Sequence, residues 1–470
     1  MFGLDISLTV LLLLCLTAVV VFEFINGFHD TANAVATVIY THTLPPTVAV
    51  VLSGILNFTG VMVGGIAVAM GIVNLLPTEA LIDQNIYHGL AMILALLITA
   101  IIWNLGTWYF GIPCSSSHTL IGSIFGVGIA YMFLPGGEAI VLNWKKIEDT
   151  ALSLLISPIF GFGLSFFLML LLPKIIKNKK LYSEPKNKKA PPLWIRSILI
   201  FTCMSVSYSH GSNDGQKGVG LIMIILIGLV PIHFALNHSK PPQGLYKNTQ
   251  NIELFLNKVD TLKLSDEEKS SYNLIRKKTS VIITSLKDVN SYEKLMDTKH
   301  FEIRKSILTL TKKAEKLFLT RNKTLENISD KDLASFKTEL NQMKNYTEYA
   351  PWQVKLIVSI SLGLGTMIGW KRIVVTIGEK IGKFHLTYAQ GATAELVAAS
   401  TISASTMLGL PVSTTHVLTS GVAGSMVAQN GKGNLQLKTI KNIAIAWLIT
   451  LPVTIILSGV LFLLLRALMG

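Results

Sequence analysis

"GIPCSSSHTL" at residues 111–120 recurs as "GLPVSTTHVL" at residues 409–418. Both copies read Gly, Ile or Leu, Pro, any residue, three hydroxyl side chains, His, any residue, Leu. A second pair keeps the same order: "GFHDTANAVA" (27–36) precedes the first copy and "GSNDGQKGVG" (211–220) precedes the second. Each half therefore carries an Asp motif followed by a hydroxyl–His knot, the mark of an internal duplication. Duplicated halves with polar, Gly- or Pro-interrupted segments at matching places point to a secondary transporter with a central site.

Composition fits that reading. The chain has 470 residues, 50% of them hydrophobic, with a mean hydropathy of +0.53 and 14% charged residues; a soluble domain carries about a quarter charged. Residues 240–348 hold 21 Lys and Arg against 15 Asp and Glu, about half of all the charges. What remains is very apolar, so the chain reads as a polytopic membrane protein with one hydrophilic insert. The net charge of +14 sits in the insert and in loops such as "KIIKNKKLYSEPKNKKAPPLWIR" (174–196). That is the positive-inside pattern and excludes a nucleic-acid partner. Cys15, Cys114 and Cys203 have neither metal-ligand nor disulfide-framework spacing. "LTVLLLLCLTAVVVF" lacks a basic start and reads as a first spanning helix, its N-terminus outside.

Apolar stretches at 4–26, 47–76, 89–110, 147–173, 193–209, 219–236, 352–370, 390–408 and 440–465 reach or approach the length of a membrane helix. Shorter, more polar pieces at 28–40, 115–133 and 413–428 read as half-helices or re-entrant segments. The expected fold is an all-α polytopic membrane protein of about twelve segments. Its first repeat is 1–173, a basic cytoplasmic linker covers 174–192, and the second repeat is 193–236 plus 350–470. The interruption at 237–349 is a helical insert on the cytoplasmic side. Within it Ser265 and Glu268 have capping-box spacing, and Ile275, Ile282, Leu286 and Val289 recur at helical intervals. Three or four amphipathic helices follow from that pattern.

In each knot Pro113 or Pro411 favours a chain break, and the next hydroxyl residue is a good N-cap. Hydroxyls and free N–H groups at two helix starts make a site for a compact oxyanion. A single Ser/Thr run more often bonds its own backbone; the paired, Pro-marked occurrence favours the anion. Candidate contacts are Ser115, Ser116 and Ser117 with Ser413, Thr414 and Thr415. His118 and His416 either orient the knots or touch the ligand. Asp30 and Asp214 are intramembrane carboxylates and so functional by default: a cation ligand, a proton carrier or the partner of a buried Lys. Glu395, in "GATAELVAAS", belongs with them. Glu23, one turn before Gly27, is either a site residue or a helix-end group.

These four motifs, with "IIWNLGTWYFGIP", "TMIGWKRIVVTIGEKIG" and "YAPWQ", resemble the inorganic phosphate transporter (PiT) family over essentially all the membrane-embedded sequence. "NDGQKG" is similar to the bacterial low-affinity branch. The resemblance implies an inverted repeat, phosphate on the two knots, and cation or proton coupling at Asp30, Asn33, Asp214 and Glu395. It also implies that phosphate travels with protons, often as a neutral metal–phosphate complex. Lys217 stands where sodium-coupled relatives have Asn, which argues against sodium; an ammonium has three donors and no acceptor. No cofactor is expected beyond the co-transported protons, with sodium or a phosphate-complexed divalent metal as alternatives. The preferred metal stays open, as does a homodimer; the other partners are inorganic phosphate and the lipid bilayer. A sulfate permease is the rival within the class. An enzyme is excluded because adjacent hydroxyl and His side chains on a helix do not face each other. A channel would lack coupling.

Overall fold

The computed structural model describes residues 2–75, 86–134, 144–185, 189–319 and 328–469, with residues 31–33, 145, 146 and 297 described by backbone alone. It is helical; among the described residues the only β pairing is an isolated bridge between Gly382 and Leu435. The chain divides into two compact units, one of residues 3–225 and 350–470, the other of 226–349.

The first unit shows the duplication as an order of helices. α1 (Ile6–Tyr40), α2 (Pro46–Val63), α3 (Ala67–Val73), α4 (Ile86–Tyr109), α5 (Ser116–Met132) and α6 (Trp144–Ile175) have 35, 18, 7, 24, 17 and 32 residues. α7 (Leu193–Leu229), α8 (Trp352–Met367), α9 (Lys371–Glu379), α10 (Tyr388–Met407), α11 (Thr414–Asn430) and α12 (Leu437–Met469) have 37, 16, 9, 20, 17 and 33. Long, short and broken helices come in the same sequence twice.

These twelve helices, counted among the described residues, are not the twelve segments expected. Residues 28–40 are no separate half-helix but the continuation of α1, and 193–209 with the first part of 219–236 are parts of the single helix α7. Conversely 47–76 divides into α2 and α3, and the chain after 352 bends by 62° between α8 and α9, where Gly369 takes φ +73°. Among the described residues α1, α2, α4, α6 and α12 are long and apolar enough to cross a membrane, or six spans if the bent pair counts as one.

The reason α1 and α7 run through their glycines is packing. Gly27 lies against the backbone of Leu362, Gly365 and Thr366 in α8, while Gly211 lies against the backbone of Asn57 in α2. A methyl group at either glycine would collide with that backbone. Small residues let membrane helices approach this closely. The first helix of each half thus crosses the second helix of the other half. The swap repeats further on: Gly122 and Gly126 of α5 meet Thr454 and Ser458 of α12, and Gly161 of α6 meets Val417 and Ser420 of α11.

The second unit is a four-helix bundle of Pro242–Leu256, Asp266–Leu286, Asp297–Ala314 and Asp330–Lys344. Ile275, Ile282 and Leu286 are buried in its core and Val289 packs at the edge. The capping box forms: the Ser265 N–H donates to Glu268 Oε2 at 2.9 Å, and the Glu268 N–H to Ser265 Oγ at 3.4 Å. The unit takes in residues before 237 because Leu236 joins that core. Arg304, buried in the bundle, donates from Nη1 to Ala235 O at 3.0 Å and Thr347 O at 2.9 Å, clasping both ends of the insert.

Candidate functional site

Each knot is a broken helix pair. α4 and α10 stop at Gly111 (φ +65°) and Gly409 (φ +66°), a left-handed conformation that suits glycine. Three residues with Pro in the middle follow, and a Ser then caps the next helix. Ser115 Oγ accepts from the His118 N–H at 3.2 Å, and Ser413 Oγ from the His416 N–H at 3.1 Å. Each linker is held from the other half: Trp447 Nε1 donates to Pro113 O at 3.0 Å and Ser153 Oγ to Pro411 O at 3.3 Å. The His118 and His416 rings lie 4.4 Å apart, and Trp447 stacks on His416 at 3.8 Å.

Ser116 and Thr415 point at the aspartates. Ser116 Oγ lies 2.9 Å from Asp30 Oδ2 and 3.4 Å from Asp214 Oδ2. It has one proton to donate, so it serves one carboxylate at a time. Thr415 Oγ1 donates to Asp30 Oδ1. Ser117 Oγ donates to Val412 O at 2.9 Å, joining the first knot to the linker of the second. Lys217 Nζ completes the cluster, at 2.6 Å from Asp214 Oδ2, 2.7 Å from Ser117 Oγ and 3.2 Å from Ser116 Oγ. Three ammonium protons thus meet three acceptors. All these side chains are buried, Lys217 and Asp214 completely.

Two histidines that sequence reasoning passed over as site residues complete the ring of contacts. His210 Nε2 lies 3.4 Å from Asp214 Oδ2 and 3.8 Å from Asp30 Oδ2, with Nδ1 at 2.8 Å from Asn57 Oδ1. His29 Nδ1 lies 3.6 Å from Asp30 Oδ1, its Nε2 hydrogen-bonded to Thr107 at 3.2 Å. His210 was legible by spacing, since it stands four residues before Asp214 on the same helical face. One donor atom each from Asp30, His210 and Asp214 fall within 4.8 Å of one another, a donor set that suits a divalent cation.

Not every candidate joins the cluster. Ser115 and Ser413 cap their helices, and Thr414, the first residue of α11, is buried beside the cap. Glu395 forms a separate buried contact, accepting from Thr37 of α1 and from Thr202 of α7 at 2.5 Å, one hydroxyl from each Asp-motif helix. The Asn33 side chain lies outside the described residues.

The profile of the phosphate transporter family matches residues 26–458. The chain belongs to that family. It is 42% identical to the low-affinity inorganic phosphate transporter of Buchnera aphidicola subsp. Acyrthosiphon pisum (strain APS), over 97% of each chain. It is 40% identical to the low-affinity inorganic phosphate transporter PitA of Escherichia coli (strain K12), over 98% of this chain and 97% of that one. These relatives are transporters, not enzymes. A solved structure described as the sodium-dependent phosphate transporter aligns with a TM-score of 0.56 at 21% identity, covering 97% of this chain and 99% of that chain. At that identity the likeness is one of fold.

Proposed function

We propose that this member of the family is a secondary active transporter that imports inorganic phosphate together with protons. The observation that carries the reading is the convergence of hydroxyls from both knots, both motif aspartates and Lys217 on one buried cluster. Ser116, Ser117, Thr415 and Lys217 are donors whose acceptors are the two carboxylates, two hydroxyls and one carbonyl. A phosphate oxyanion would take the same donors in place of the carboxylates. Two displaced carboxylates beside an incoming anion repel it strongly at low dielectric, so a proton or cation has to accompany it. That requirement is the physical root of coupling, in which Asp30, Asn33, Asp214, Lys217 and Glu395 take part.

A specific observation favours a second form of the substrate. The Asp30–His210–Asp214 donor set fits the metal of a metal–phosphate complex, whose charge is smaller than that of phosphate alone. The two halves are taken to lie in opposite orientations, with the linker 174–192 and the insert cytoplasmic by the positive-inside rule. Reconstitution into liposomes tests the function. Uptake of labelled phosphate should follow an imposed proton gradient, be inhibited by arsenate and ignore sulfate. Equal inhibition by sulfate would replace phosphate with a general oxyanion as substrate.

A further inference from the structure

We infer that Glu23 is the group that carries the coupled proton, an assignment that rests on the proton-coupled reading above. Glu23 lies inside α1, two turns before Asp30, and is completely buried. Its Oε2 accepts from the Asn26 amide at 3.3 Å, and its Oε1 has no hydrogen-bond partner among the described residues. The other buried carboxylates near the site are engaged. Asp30 and Glu395 accept from hydroxyls on both oxygens, and Asp214, whose Oδ1 has no partner among the described residues, holds the Lys217 ammonium on Oδ2.

The place Glu23 occupies exists because Gly218, the residue after Lys217, has no side chain: a Cβ there would sit 2.7 Å from Glu23 Oε1. The charged and titratable groups that face Glu23 are Lys217, Asp214 and His210, all on α7. An ionised carboxylate buried with one long amide contact is poorly solvated, whereas the protonated acid is neutral. The arrangement seen, with the Lys217 donors all given to Asp214, Ser116 and Ser117, suits the acid. When phosphate takes those hydroxyls, Lys217 gains a new anion beside it, and the Glu23 acid on α1, packed against Gly218 next to Lys217, stays neutral through the crossing. Glu23 binds one proton from water on the outer side as its carboxylate becomes the acid. It returns that proton to water on the inner side, so one proton crosses per cycle.

The test compares net uptake with exchange in liposomes containing the full chain. Glu23→Gln imitates the protonated acid permanently. It should lose uptake driven by an inward proton gradient while exchange of labelled external phosphate for internal phosphate persists. Glu23→Asp keeps a carboxyl and should restore gradient-driven uptake. Gradient-driven uptake that survives Glu23→Gln overturns the assignment. So does loss of exchange together with net uptake, because Glu23 would then serve packing or binding. A wild-type protein that exchanges phosphate but ignores the proton gradient sinks the proton-coupled reading, and Glu23 with it.

Discussion

Asp30 and Asp214 occupy matching places in α1 and α7 and both meet Ser116 and His210, yet Asp214 also holds an ammonium while Asp30 takes Thr415 and His29. Around them the packing is almost symmetric: Gly27 crosses α8 as Gly211 crosses α2, and Ser115 caps α5 as Ser413 caps α11. Duplication has kept the scaffold equal and let the chemistry diverge. On the proposed mechanism Lys217 would give one half a fixed cation where the other borrows one.

The largest effect should come from the charge pair. Asp214→Asn strands the buried Lys217 ammonium, and removing one partner of a buried pair costs about 3–5 kcal/mol. The variant should reach the membrane in much reduced amount, as measured on purified protein by yield and thermal unfolding. Asp30→Asn strands no ammonium, so it should accumulate normally and fail to transport. Equal loss of protein from both variants would erase the distinction between the two aspartates.

Next come the crossings. Gly27→Ala and Gly211→Ala both push a methyl group into backbone, and overpacking costs about 1–3 kcal/mol. Thermal unfolding should show equal destabilisation; one tolerant site would break the symmetry of the scaffold.

A smaller effect separates hydroxyls within a knot. Ser116→Ala removes a hydrogen bond to a charged group, worth about 1.5–3 kcal/mol, and should weaken phosphate binding. Ser115→Ala removes a cap, worth about 0.5–2 kcal/mol, and should lower the melting temperature more than the affinity. The smallest effect belongs to the insert: a flexible linker in place of 237–349 should leave substantial uptake.

Much of this was legible in the sequence. The duplicated motifs gave the two-fold order of helices, and the Ser265–Glu268 spacing gave the capping box. Other features were not. The apolar stretches 4–26 and 193–209 stop just short of Gly27 and Gly211, and a glycine reads the same whether it ends a helix or admits a neighbour. Three consecutive hydroxyls did not reveal which one turns back to cap and which face the aspartates. The clasp of Thr37 and Thr202 on Glu395 joins residues distant in sequence, and no local pattern marks it.

As a built-in cation, Lys217 would make the second half independent of sodium. The most direct test of that role is labelled phosphate uptake into proteoliposomes under a proton gradient without sodium, for wild type and Lys217→Asn. Wild-type uptake should persist without sodium and collapse with a protonophore, and Lys217→Asn should lose that mode. Strict sodium dependence of the wild type, with no response to the protonophore, would contradict it.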